Sequence, residues 1–204
     1  MKMVKVGNWE KALRILDAAP KRLADAQHRA LLQEAQFFRG KIVEGIREQA
    51  PGGQAFAPLS PTTLAIRQFR GFRGTKALIH HGDLRNSVAV VREGDTVFVG
   101  VLRSAQSRDG AALVNVASAH EHGTKPIVRK LTPKVRAFLF AAFRKAGIEK
   151  AAAVGGTKTG VVVSRVPARP FLGPVFEKHA KPDEVARRFL GRITKLLGGD
   201  FGTL

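Results

Sequence analysis

The sequence predicts an α+β fold: a long amino-terminal helix, a small antiparallel β-sheet with a hairpin, and further helices including a carboxy-terminal amphipathic one. Three observations predict it. Apolar residues recur at helical spacing through residues 20–49, two strand-like stretches meet at Gly94, and residues 183–197 carry one apolar and one basic face. The element order α–β–β–α–α–β–α, in which strands and helices do not alternate regularly, favours an antiparallel sheet. The 204 residues suit a single domain that carries a helical arm at about 1–50 and a basic segment at about 125–158.

The elements follow in chain order. Trp9 to Ala18 reads as a separate short helix. Pro20 then suits the first turn of the long one, whose stripe is Leu23, Leu31, Ala35, Phe38, Ile42 and Ile46, with Gln27 as a polar gap. At about 1.5 Å per residue that helix is roughly 45 Å long. Gly40 and Gly45 weaken its second half, and Pro51-Gly52-Gly53 ends it. Ser60 and Pro61 read as N-cap and first residue of a short helix, and "RQFRGFRGTKA" after it reads as a basic stretch that is mobile or ordered by a partner.

"SVAVVRE" (87–93) and "DTVFVGV" (95–101) form the hairpin, and "ALVNVASAHEHG" reads as a helix that stops at Gly123. A basic loop at 124–131 precedes a helix capped by Thr132, opened by Pro133 and stopped at Gly147. Its apolar face is Val135, Phe138, Leu139, Ala142 and Phe143. "GGTKTG" (155–160) is a turn and "VVVSRV" (161–166) a third strand. The last helix turns Val185, Phe189, Ile193, Leu196 and Leu197 inward and Arg187, Arg188, Arg192 and Lys195 outward.

Charge is the strongest compositional signal. Thirty-five Lys and Arg stand against sixteen Asp and Glu, a net +19, and residues 125–158 hold nine cations against one acid. A surplus this large implies a polyanion or an acidic surface nearby, nucleic acid first of all, and the competing reading is a basic surface that serves solubility. There is no Tyr and one Trp, so contact with nucleic acid is expected at phosphate and without sequence preference. Arg70, Arg73, Lys76, Lys125, Arg129, Lys130 and Lys158 are the candidate contacts to DNA or a partner. The absence of cysteine removes disulfides and thiolate metal sites. No apolar run reaches the about eighteen residues of a membrane span, and the amino terminus has no apolar signal core, so a protein made in the cytoplasm is expected.

Histidines suggest a metal, but the spacing argues against one. His120 and His122, two apart on a helix, point roughly 200° away from each other. His80, His81 or Asp83 could add a third ligand only through folding. The acidic residues are scattered, and "GGTKTG" lacks the phosphate-loop pattern. No catalytic residue, cofactor or metal is therefore assigned, and no enzyme activity is expected. In "VPARPFLGP", Pro167 and Pro170 hold the preceding residues extended. Arg169 then reads either as a solvated residue on a rigid connection or as a cation held for a partner or a phosphate.

Four stretches in this order, "FAPLSPTTLAIRQ", "KALIHHGDLRNSVAV" with "VFVGV", "VASAHEHGT" and "VPARPFLG", resemble the phage virion-morphogenesis (tail-completion) proteins over about residues 54–178. The motif positions are Pro58, Leu59, Ser60 and Thr63 in the first loop; Leu78, Gly82, Leu84 and Ser87 in the turn; His120, Glu121 and Gly123 in the middle segment; and Pro167, Arg169, Pro170, Phe171 and Leu172 in the last. Val116 stands where the family usually has tyrosine, and His122 where an aromatic is common. The motifs secure neither the amino-terminal helix nor 125–158, which reads as a basic insertion.

The resemblance implies a virion structural protein: a ring of this chain, of about six copies, at the neck of a tailed phage. It would complete the tail and join it to the head, beside tail-terminator, head-closure or connector proteins, with genomic DNA passing through and no membrane involved. The positive surplus fits such a conduit, since an anionic lumen would repel DNA. A free, sequence-nonspecific nucleic-acid-binding protein is the alternative. The histidine segment, on this reading, caps a helix and orders a loop.

Overall fold

The computed structural model describes residues 9–148 and 160–201. Its first element, α1, is a single helix, Trp9–Glu48, about 60 Å long at the usual rise. The expected break at Pro20 does not occur. Pro20 lies inside α1 on an exposed side, where losing one ladder hydrogen bond costs less than ending the helix. The buried stripe also differs in the first half. Leu23 is 43% exposed, and Ala26 and Ala30 are buried instead. Small side chains there let the last helix, α7 (Pro182–Phe201), lie close, with Ile193, Phe189, Leu196 and Leu197 packed around them.

The second half of α1 runs through the main core. Phe38, Ile42 and Ile46 pack with Leu84, Val88, Val101, Leu113, Phe171 and Val175. Gly45 serves clearance here, not weakness: a Cβ on it would sit 2.5 Å from Pro51 Cα, where the chain turns back at Pro51–Gly53. Gly52, at φ 62, rests in turn against the Pro174 carbonyl. Helix α2 (Pro61–Phe69) begins as expected, with the Thr63 N–H donating to Ser60 Oγ at 3.2 Å. A one-turn helix, α3 (Asp83–Asn86), precedes the hairpin of β1 (Val88–Glu93) and β2 (Thr96–Val101). Their register runs from Val88↔Val101 to Glu93↔Thr96, and Gly94, at φ 60, opens the turn.

Helix α4 (Leu113–His122) stops at Gly123. The next segment corrects the sequence reading. Residues 127–130 form strand β3 (Ile127–Lys130), antiparallel to β4 (Val161–Ser164). There are thus two small two-stranded sheets where one was expected. Four residues, two apolar followed by two basic, gave too short a pattern to read and no alternation. Between them, α5 (Pro133–Lys145) is capped by Thr132, whose Oγ1 accepts the Val135 N–H, and packs on α2 through Phe138 and Phe69, centroids 5.4 Å apart. Most of "GGTKTG", Lys158 included, lies outside the described residues. Helix α6 (Gly173–His179), not foreseen, stacks Phe176 on Phe38 at 5.1 Å.

The outward basic face expected of α7 is only partly outward. Glu34, 5% exposed on α1, accepts Arg188 Nε at 3.0 Å and Nη2 at 2.6 Å, and it is also bonded by Arg192. Arg188 further donates to the His179 carbonyl and lies over the Phe37 ring. Amphipathicity marks which face is polar but not which polar residues find a partner. Burial alone would raise the Glu34 pKa, but the hydrogen bonds and charges of Arg188 and Arg192 hold it below the ordinary glutamate value. A lowered carboxylate pKa gives stability that is present above about pH 4.5 and lost as pH falls through the folded value. Glu34→Ala should therefore lower the unfolding free energy by about 2–4 kcal/mol at pH 7 in urea denaturation. Its loss of stability on acidification below about pH 4.5 should also be shallower than that of the wild type.

Candidate assembly groove

The motif segments, far apart in sequence, meet around one groove of about 580 Å³. Their meeting begins with Glu121. At the end of α4 its carboxylate accepts the N–H groups of Phe171 at 2.9 Å, Leu172 at 3.1 Å and Gly173 at 2.7 Å. These are donors that the start of α6 leaves free, so a residue fifty positions upstream caps it. The two chains then run together. Arg169 N–H donates to the His120 carbonyl, Thr124 N–H to the Val166 carbonyl, and Val166 N–H to Thr124 Oγ1. Gly123, at φ 74, allows this contact, because a Cβ there would come within 3.0 Å of Ala168 N.

Arg169 is neither solvated nor presented at the surface. It is 4% exposed, and its guanidinium holds the first motif loop from within: Nε donates to the Ala57 carbonyl at 2.6 Å and Nη2 to the Pro58 carbonyl at 2.8 Å. Pro58, Leu59, Ser60 and Thr63 thereby become a wall of the groove. Phe171 is fully buried, and Pro170 lies between it and Arg169. On the second wall, Gly82 (φ 84) leads into α3, Leu84 enters the core, and Ser87 Oγ donates to the Leu84 carbonyl at 2.7 Å. Leu78 adopts φ 59, unusual for a branched residue, and the Gln49 amide bonds both polar groups of the adjacent Ala77. Val116, the departure from tyrosine, also lines the groove.

The histidines separate. His120 lines the groove, and its Nδ1 is buried without a hydrogen-bond partner, while His122 is exposed. His80 meets Phe72 edge-on and His81 lies tilted to the same ring, with the two imidazole centroids 4.0 Å apart. Among the described residues, no three His, Asp or Glu side chains converge as a metal ligand set. Asp83 is instead bonded by Arg108, which holds its carboxyl below the ordinary value.

The expected basic contacts differ in their surroundings. Arg70 lies over Phe138, and Lys76 Nζ donates to the Arg47 carbonyl at the end of α1. Arg67 ties the 70–76 loop, expected to be mobile, through the Gly74 and Lys76 carbonyls at 3.1 and 2.8 Å. Arg73 is exposed, as are Lys125, Arg129 and Lys130 beside or on β3. Sequence reasoning missed Arg67, Gln49 and Thr124. Only Thr124, directly after the helix-stopping glycine, carried a local hint.

Glu121→Ala leaves three N–H groups unserved and should cost about 2–4 kcal/mol in chemical denaturation, with Glu121→Gln losing less. Burial first, then the Arg169 charge, lowers the His120 pKa. The folded state thus binds fewer protons than the unfolded one below pH 6.5, and stability should fall as pH drops through that window. His120→Gln should remove up to about 1.4 kcal/mol per pH unit of that slope. A residual slope remains, because His80 and His179 are lowered as well.

The sequence profile of the phage virion morphogenesis family matches residues 8–190. No curated protein and no solved structure gives a significant match.

Proposed function

The chain belongs to the phage virion morphogenesis family, and from that premise we propose that it completes the phage tail and joins it to the head as a ring at the neck. Membership of this family points to a structural role in building the phage particle. The observation that carries the reading is the extent of the match, residues 8–190, which takes in α1 and residues 125–158 as well as the motif segments. No described helix is long and apolar enough to cross a membrane.

Two features of the surface support assembly. Large apolar side chains stand in water on several elements: Leu13 and Leu16 on α1, Phe140 on α5, and the cross-strand pair Val128 and Val163, 62% and 61% exposed. Scattered exposure is ordinary, but a paired patch on a two-stranded ribbon fits burial against a neighbouring subunit. The second feature is uncompensated charge. Lys125, Arg129, Lys130, Lys134, Arg136 and Arg144 form no ion pair among the described residues. Such a cationic segment suits nonspecific contact with the DNA passing through the neck, which here is one more partner of the ring.

Phage made without this chain should yield filled heads and separate tails in electron micrographs, and adding the purified protein should restore joined particles. Labelled protein should localise to the head–tail junction. Normal, joined particles in its absence would sink the reading.

A further inference from the structure

Only two charged side chains are buried among the described residues, Glu34 and Arg169. Glu34 lies between two arginines. Arg169 has no carboxylate. Its two hydrogen bonds to carbonyl oxygens use two of the five guanidinium N–H donors and leave the charge uncompensated. Nor do acids elsewhere relieve it: burial alone accounts for its lowered pKa.

Two further groups on the same groove share this condition. Arg67 donates to carbonyl oxygens and lies over the Phe72 ring but has no ion pair among the described residues, and burial, followed by the charge of Arg169, lowers its pKa. His120 holds its unpartnered, buried Nδ1 beside them. His80 is lowered by burial and then by surrounding cations: His81, Arg67, Arg70 and Arg108. The two acids on the groove wall do not answer this excess, since Asp83 is held by Arg108 and Asp109 is exposed in the loop that follows. Between the polar groups the wall is apolar, with Pro58, Leu59, Leu113 and Val116.

We propose that this groove is the docking socket for an acidic, otherwise apolar peptide segment of a neighbouring protein, with an Asp or Glu carboxylate seated among Arg169, Arg67 and His120 and flanking side chains on the apolar wall. A carboxylate supplies the missing counter-charge, accepts the unused guanidinium donors, and can bond the imidazole. Duplex phosphates fit less well, because they stand on a stiff cylinder and are met by exposed cations, whereas Arg169 is 4% exposed behind the Pro58 loop. The proposal rests on the assembly reading only for the source of the segment, a neighbour in the particle; the chemistry rests on the groove itself.

The test is a titration of the full chain, followed through its histidine NMR signals. The probes are a capped peptide of alternating leucine and aspartate or glutamate, the same peptide with the acids replaced by their amides, and a short DNA duplex. The acidic peptide should move the His120 signals and raise that residue's titration midpoint, and the amide peptide should bind at least about tenfold more weakly. Arg67→Gln, chosen because Arg169 holds the Pro58 loop from within whereas Arg67 ties only the 70–76 loop, should weaken the acidic peptide by a similar factor and the amide peptide by less, with the other histidine signals showing that the fold is retained. No movement of His120 at millimolar acidic peptide overturns the proposal. So does equal binding of the amide peptide, unaltered binding by Arg67→Gln, or a duplex that shifts the same signals at lower concentration. Failure here with particle joining intact removes the socket alone, whereas failure to locate the chain at the neck leaves the groove result standing.

Discussion

One carboxylate sets the arrangement on which the rest depends. Glu121 closes α4 and opens α6 in the same place, because its two oxygens take three N–H groups that no local residue serves. With those ends joined, Phe171 and Val175 enter the core beside Ile42 and Ile46, and Arg169 is carried inward to the Pro58 loop. The groove between the walls is a consequence. It exists where loop, turn and strand exit meet without filling the space between them. Gly123 supports this by its lack of a side chain, since any Cβ would press on the segment around Val166 and Ala168.

The two buried charges among the described residues are treated in opposite ways. On one side Glu34 is enclosed by Arg188 and Arg192, and the triad joins α7 to α1 as an internal fastening. On the other, Arg169 is held by neutral oxygens alone and faces a groove. A closed pair belongs to stability. An open charge is costly in isolation, and that cost is the ground for the proposed socket. The same division extends over the surface. Lys41 pairs with Glu44 and Arg108 with Asp83, while the cations of β3 and α5 form no ion pair among the described residues.

Much of the fold was legible where local chemistry dictates it. Ser60-Pro61 and Thr132-Pro133 cap helices because hydroxyl and ring satisfy needs at that very position. Gly94 turns the hairpin, and Gly123 ends α4. Local reasoning failed where a distant neighbour changed the balance. Pro20 reads as a helix start, yet α1 runs through it. Strand β3 has a weak pattern of its own and gains its ladder from β4, thirty-odd residues later. Helix α6 is short and proline-bearing, and its first turn is served by Glu121 from across the fold.

What the sequence determined alone is the set of elements whose signals lie within a few residues of each other, together with the family, which its ordered motifs carry at fixed spacing. Caps, turns and amphipathic faces are short-range free energies, and composition reports them directly. Tertiary structure alone decided which polar groups found partners: Arg188 and Arg192 against Glu34, Glu121 against α6, and Arg169 with no acidic partner among the described residues. Coulombic and hydrogen-bond energies depend on separations of a few ångströms between residues fifty or more positions apart. No periodicity or spacing in a linear chain encodes those separations.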